Sequence, residues 1–344
     1  MLKSFENVDE LESALSKPSD AVVETVKRLE GDILVLGAGG KMGPTLCRMI
    51  KTSEPTKNVL AVSRFSNPDV AAGLKAAGIT PIKADLLDEA CYAAMPDAPN
   101  IFFLAGMKFG ATGNEPLTWA MNAYAPGLVC RRYPRSRIVV LSTGNVYPFS
   151  PVKSGGATEE TPPGPVGEYA QSCLARERIF QYFSKRQTTP IVLVRLNYAN
   201  EPRYGVIVDV ARKIRAGEPV DLSAGYVNLI WQRDANEYIV SAIELADSPP
   251  AVLNLTGPET ISVRRLAETI ARELGTQPRF TGRVNEPPSG AEKALLSNAS
   301  KCFEHFGKPS TPLDDMIRSI TQWIAAGKTL LGKPTKFEVR NGKF

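Results

Sequence analysis

Short apolar runs recur along the chain at 32–36, 59–63, 81–83, 101–104, 138–141 and 191–195, and each has the length and bounding turns of a buried strand. Between them, the stretches 41–52, 68–77, 115–132 and 168–185 carry helical spacing. Strand and helix alternating in this way predict an α/β protein with a doubly wound parallel sheet covered on both faces. Residues 1–31 precede the first strand, and Ser19-Asp20 is placed to cap a short amphipathic helix leading to Gly31. Beyond residue 200 the pattern loosens. Helices are expected at 206–216, 234–247, 262–274 and 312–326, one more strand at 252–255, and Pro- and Gly-rich connections such as 286–290. The pattern divides the chain into a leader helix (1–31), a nucleotide-binding domain (32–200), a smaller substrate lobe that returns to the sheet (201–330) and a polar tail (331–344) that docks or frays.

The first strand runs into ILVLGAGGKMG, with glycines at 37, 40 and 43 and a helix after them. Gly37 permits a sharp turn, Gly40 lets the backbone, with Lys41 and Met42, approach a pyrophosphate, and Gly43 lets the helix pack close to the strand. The phosphates would lie at the helix N-terminus, where unpaired N–H groups favour negative charge. The expected sheet is therefore of Rossmann type. A glycine triplet alone is common between strand and helix. Its position here is what makes dinucleotide binding the expectation.

Composition narrows the alternatives. The 344 residues carry 43% hydrophobic and 22% charged side chains, ordinary for a globular protein, and a formal charge of +5 with no Lys/Arg cluster, which does not suggest a nucleic-acid partner. Five cysteines without paired spacing read as reduced thiols, which points to a cytoplasmic protein without disulfides or a metal site. The first residues lack the apolar core of a signal peptide, and no apolar run is long enough for a membrane span. With a single histidine, His305, neither a histidine-based triad nor a multi-histidine metal site is expected, and His305 itself is expected to be structural or exposed, away from the site.

From about residue 32 to 327 the chain resembles the extended short-chain dehydrogenase/reductases of the NAD-dependent epimerase/dehydratase group. Gly37, Gly40 and Gly43 fit that family's GxxGxxG. Asp85-Leu86 fits the pair bordering the adenine, Leu104-Ala105-Gly106 the segment along the cofactor, and Asn122 a helix asparagine near the cofactor ribose. VVLSTGNVYP resembles the strand with a Ser/Thr ahead of a Val-Tyr pair, which puts Thr143 in the position of the substrate-polarising hydroxyl. Tyr169 opens YAQSC where the family has YxxxK, and VRLNYANEPRYG, with Arg195 and Asn197, resembles RxxNxYGP. The resemblance implies catalytic roles for Thr143 and Tyr169, substrate contacts from Thr143, Asn145, Asn197 and Arg203, and cofactor contacts from Tyr169 and Asn197.

One departure stands out: Cys173 occupies the place of the YxxxK lysine. In the family that lysine holds the nicotinamide ribose and lowers the tyrosine pKa. A free tyrosine titrates near ~10, and bringing it to about 7 takes about 4 kcal/mol, which a neutral thiol does not supply. Tyr169 is thus expected to stay protonated, a poor general base that can still donate a proton. Arg176, seven residues on and on the same helix face, is a candidate source of the missing charge. Plainer readings stand beside these. Thr143 could cap a turn, Tyr169 could pack, Cys173 could fill a helix face, and Asn197 could serve the turn before Pro202. Arg279 and Arg283 could clamp a phosphate or lie in solvent.

At the end of the second strand, Ser63 stands where an acidic residue would favour NAD, and Arg64 follows, able to hold a 2′-phosphate. NADP is therefore expected over NAD. Three functions remain open: an NAD(P)-dependent oxidoreductase acting on a carbonyl or secondary alcohol of a small polar or sugar-like substrate, a sugar or sugar-nucleotide epimerase/dehydratase, and a non-catalytic dinucleotide-binding protein. The resemblance implies a homodimer formed through the helices near 115–132 and 168–185. Substrate choice is expected to fall to 108–115, 200–231 and 276–297.

Overall fold

Seven short strands, almost wholly apolar in the sheet interior, settle where this chain buries itself. The computed structural model describes residues 4–108, 110–283 and 292–343, so Phe109 and 284–291, within two of the stretches expected to choose the substrate, lie outside the described residues. The strands are β1 (Ile33–Leu36), β2 (Val59–Ser63), β3 (Thr80–Lys83), β4 (Asn100–Phe103), β5 (Arg137–Thr143), β6 (Ile191–Leu196) and β7 (Ala251–Leu255). They lie parallel in the order β3-β2-β1-β4-β5-β6-β7, with Ile33 of β1 paired to Val59 on one side and to Asn100 on the other. Alternate residues face opposite layers. Val35, Ala61, Phe102, Val139 and Val194 enter one apolar layer; Leu34, Leu36, Val62, Phe103 and Val140 enter the other. Pro81 is tolerated in β3 because that strand is the sheet edge.

Two helices, not one, precede the sheet: α1 (Val8–Leu15) and α2 (Asp20–Arg28). Pro18 explains the break, since the residue before a proline is pushed out of helical conformation. Val22 and Val26 of α2 join a layer beside the sheet, whereas Leu11 and Leu15 of α1 join a separate apolar core. The sheet helices are α3 (Gly43–Ser53), α4 (Pro68–Ala76), α5 (residues 115–132) and α6 (Gly167–Gln187). The middle of α5, Ala120–Tyr124, is a π turn. Pro126 has no N–H to give the Asn122 carbonyl four residues back, so the helix widens there.

The remaining helices are α7 (Val206–Arg215), α8 (Gln232–Ser241), α9 (Val263–Glu273), α10 (Ser300–Phe306) and α11 (Leu313–Ala325). The apolar faces of α7, α9 and α11 build the separate core with Trp231. The tail docks on it: Phe337 is buried there, Thr335 donates from its N–H and hydroxyl to Asp209 at 2.7 and 2.6 Å, and Arg340 stacks on Phe149. Among the described residues, no helix is long and apolar enough to cross a membrane.

Candidate active site

A cleft of about 640 Å³ runs along the C-terminal ends of the strands and crosses the seam between β1 and β4, where the strand order reverses. Its floor at β1 is the glycine turn. Gly37 has φ +87°, and a Cβ there would come within 2.5 Å of the Ala105 nitrogen. A Cβ on Gly43 would lie 2.3 Å from the Ala38 carbonyl oxygen, so only glycine lets α3 start this close to β1. Gly40, Lys41 and Met42 line the same floor.

At the β2/β3 end the walls are Ser63, Arg64, Asp85 and Leu86, with Phe65 in a left-handed turn at φ +45°. Toward β4 they are Leu104, Ala105 and Gly106, and at β5 and β6 Thr143, Asn145, Tyr169 and Asn197. Tyr198, also at φ +45°, lines this end too, and non-glycine residues held in that region are concentrated at ligand sites.

Thr143 ends β5 and starts a tight turn, its hydroxyl accepting from the Asn145 N–H at 3.2 Å and the Asn145 amide at 3.0 Å. The hydroxyls of Tyr169 and Thr143 are hydrogen-bonded, and the Cys173 thiol is bonded to Tyr169 as well. Burial, and the neighbouring Cys173, push the Tyr169 phenol well above the usual tyrosine range, and the Arg176 charge and the Thr143 bond offset only part of this. Cys173 is fully buried beside Val146 and Tyr147, its thiol also pushed up by burial. It fills a helix face, as a small buried cysteine does.

Two expected residues stand elsewhere. Asn122 is wholly buried behind the wall, where its amide accepts from the Met107 N–H at 2.9 Å and donates to the Met107 carbonyl at 3.1 Å and to the Ser172 hydroxyl at 2.9 Å. It fixes the segment after β4. Arg203 does not line the cleft; it ion-pairs with Glu201 at 3.1 Å and with Glu12 of α1 at 2.7 Å. Asn197 does line it, with its amide donating to Asn228 at 2.9 Å. Arg195 lies beneath the site, paired to Glu177 at 2.7 Å and donating to the Tyr147 hydroxyl at 2.7 Å. Glu177 also accepts from Ser142 at 2.6 Å, so α6, which carries Tyr169, is tied to β5 and β6.

Several lining residues were not singled out in the sequence: Lys108 and Tyr204, which fall in stretches expected to choose the substrate, and Lys333 and Thr335, which do not. Lys41 donates to the Ala199 carbonyl at 2.7 Å and lies 4.0 Å from the Tyr204 ring centroid. Burial lowers its pKa to about 7 and that of Lys108 to about 8. Arg279 donates to the Gly217 carbonyl at 3.3 Å in an exposed setting, away from the cleft. Among the described residues, no group of His, Cys, Asp and Glu is placed to hold a metal ion.

A parallel sheet with this strand order, a glycine turn at β1 and a cleft across the reversal defines a Rossmann-type α/β protein. The family model "NAD dependent epimerase/dehydratase family" matches residues 33–255, and the chain belongs to that family. A comparison with curated proteins finds no match. Solved structures with the same fold include MoeE5 in complex with UDP-glucose and NAD, 22% identical over 86% of this chain and 99% of that one, with a TM-score of 0.69. UDP-glucuronic acid 4-epimerase from Bacillus cereus, as a Y149F mutant in complex with UDP-4-deoxy-4-fluoro-glucuronic acid and NAD, is 18% identical over 86% and 99%, with a TM-score of 0.72. UDP-glucose 4-epimerase from Thermotoga maritima, with UDP-glucose, is 17% identical over 86% and 99%, with a TM-score of 0.72.

Proposed function

We propose that this protein is an NADP-preferring oxidoreductase that reduces a carbonyl on a small polar or sugar-like substrate. The observation that carries the reading is Tyr169, which is bonded to Thr143 at one end of the cleft and kept protonated by burial. A phenol in that state suits proton donation and not proton removal. The residues fit a dinucleotide, because the turn at Gly37–Gly43 floors a cleft of about 640 Å³ whose walls run from Ser63 and Asp85 to Thr143 and Asn197. Ser63, Arg64, Asp85 and Leu86 would hold the adenosine half, and Leu104, Ala105, Gly106 and Asn197 would flank the nicotinamide half. When bound, the reduced nicotinamide supplies hydride to the carbonyl carbon.

In this reading the Thr143 hydroxyl donates a hydrogen bond to the substrate oxygen, and Tyr169 passes its proton to that oxygen as the carbonyl becomes an alcohol. The proton is then replaced from solvent. Cys173 takes the place of the family's lysine and gives no charge, in keeping with a site that works toward reduction. The lobe of residues 201–330 chooses the substrate, with Asn145 and Asn197 at its entrance.

The second reading is a sugar-nucleotide epimerase or dehydratase, favoured by the family and by UDP-sugars bound in structures of the same fold. That chemistry removes a hydroxyl proton first, which Tyr169 is poorly set to do. A non-catalytic nucleotide-binding role comes third, and the paired hydroxyls of Thr143 and Tyr169 weigh against it.

NADPH oxidation measured against a panel of small aldehydes, ketones and keto-sugars tests the proposal. Net consumption, lowered about 100-fold or more in Tyr169→Phe with NADPH binding unchanged, is the expected result. Turnover of UDP-sugars without net nucleotide consumption would favour the second reading. Tight NADPH and weak NADH binding, with the difference lost in Arg64→Ser, is expected for the cofactor preference. A cytoplasmic homodimer through α5 and α6 completes the proposal, supported by the exposed Leu117, Trp119, Tyr124 and Tyr182 on those helices.

A further inference from the structure

Among the described residues, the buried arginine of the cleft wall has no carboxylate partner. Arg176 is 5% exposed and lines the cleft, yet among the described residues no acidic group lies within ion-pair reach of it. Its partners are neutral: the Leu141 carbonyl at 2.8 Å and the Asn122 amide oxygen at 2.5 Å, with the Phe103 ring centroid 5.8 Å away. Its Nε is buried without a hydrogen-bond partner among the described residues. The adjacent acid, Glu177, is committed to Arg195 and Ser142. A guanidinium keeps its charge, and an unpaired buried charge is costly, so its position calls for a cause.

The position is specific. A Cβ on Gly106 would fall 2.3 Å from one Arg176 nitrogen, so the segment after β4 is shaped around the guanidinium. Asn122, exposed to it by the π turn of α5, holds it from behind. The charge therefore stands at the seam of β4 and β5, two helical turns from Tyr169 and on the opposite side of the glycine turn from Ser63 and Asp85. If the adenosine half lies over β2 and β3, Arg176 stands beside the reacting half.

We infer that Arg176 is the fixed cation of the reacting half of this cleft, placed so that it binds the neutral, reduced nicotinamide ring in preference to the cationic, oxidised one. This rests on the cofactor reading proposed above and adds a direction to it. Like charges a few ångströms apart in a protein repel strongly enough to shift affinity by about tenfold. The same charge favours the phenolate that Tyr169 becomes on giving up its proton. The first effect favours loading with the reduced cofactor and release of the oxidised one, at the cost of making hydride transfer within the site less favourable, and the second offsets that cost by stabilising the phenolate left when Tyr169 gives up its proton. Lys41 and Lys108 add positive potential along the cleft, and burial lowers the pKa of both.

The test is calorimetric or fluorimetric titration of the full chain with NADPH, NADP and adenosine 2′,5′-bisphosphate, which reports the adenosine half alone. Wild type is expected to bind NADPH at least about tenfold more tightly than NADP. Arg176→Gln, which keeps a hydrogen-bonding group near Leu141, should lower that ratio by about tenfold, and Arg176→Lys should retain it. Adenosine 2′,5′-bisphosphate should bind all three alike, which a general loss of structure would not allow. A ratio that is equal in wild type and Arg176→Gln overturns the inference and leaves the cofactor reading standing. If Arg176→Gln fails to fold, wild type decides: NADP bound as tightly as NADPH overturns it. No dinucleotide binding to wild type removes the cofactor reading and this inference together.

Discussion

Lys41 is a residue whose chemistry the sequence does not disclose. In the sequence it is a polar member of a glycine turn; in the fold it is half-buried against Tyr204 and Ala199, and burial brings its pKa down to about 7. Repulsion from Lys108 and Arg203 acts in the same direction, and Glu201 opposes it. The sign follows from linkage. Below about 7 the amine is charged and favours an anionic ligand, and above it the ligand must restore the proton. NADPH affinity is thus expected to decline as pH rises from about 7, by at most about tenfold per unit, with proton uptake on binding. Titration in buffers of different ionisation enthalpy reads the uptake, and Lys41→Met should flatten the profile. An affinity that rises with pH would overturn the proposed contact of Lys41 with the cofactor phosphates. Thr143 shows a second kind of limit: it caps its turn and still lines the cleft with Tyr169, so the cap does not remove it from the proposed site.

Among the elements, α6 has the greatest consequence. Its sequence announces a helix and a tyrosine, but not what fixes the tyrosine in place. The Glu177–Arg195 pair does so from below, with side chains 0% and 4% exposed, and Ser142 and Tyr147 complete the network. Removing one member leaves the other charge buried and uncompensated. Glu177→Ala is expected to lower stability by about 3–5 kcal/mol, read by urea unfolding. A loss within about 0.5 kcal/mol would mean that Arg195 finds another partner. The strands β1 to β7 fall near their expected limits because buried parallel strands are written as apolar runs. Helices α1 and α10 escaped notice because each is about two turns long, too short for a clear period. The π turn in α5 has a local cause in Pro126, although its consequence, the presentation of Asn122 to Arg176, appears only in three dimensions.

For the whole molecule, α5 and α6 pack together on one layer of the sheet and carry Trp119 at 36%, Tyr124 at 50% and Tyr182 at 53% exposure. The Trp119 indole donates to Glu168 at 2.5 Å, joining the two helices. Large apolar side chains exposed along these two helices fit an interface. Trp119→Glu with Tyr182→Glu should raise the dimer dissociation constant by at least about tenfold, seen as a shift to monomer in sedimentation velocity. A wild-type protein that sediments as a monomer at high concentration removes the dimer proposal.

The sequence alone determined the parallel sheet, the glycine turn and the pairing of a strand-end threonine with a helix tyrosine, because each is coded by neighbours along the chain: apolar runs, backbone freedom and short spacing. Tertiary structure alone decided which charges are exposed to the cleft. Arg203, expected there, turns to Glu12 and Glu201. Lys333 and Thr335 of the tail reach it across the docked Phe337, and Arg176 has no counterion among the described residues, Glu177 being taken by Arg195. Electrostatic partnership is a matter of distance in space and of burial, and neither is written in the order of residues.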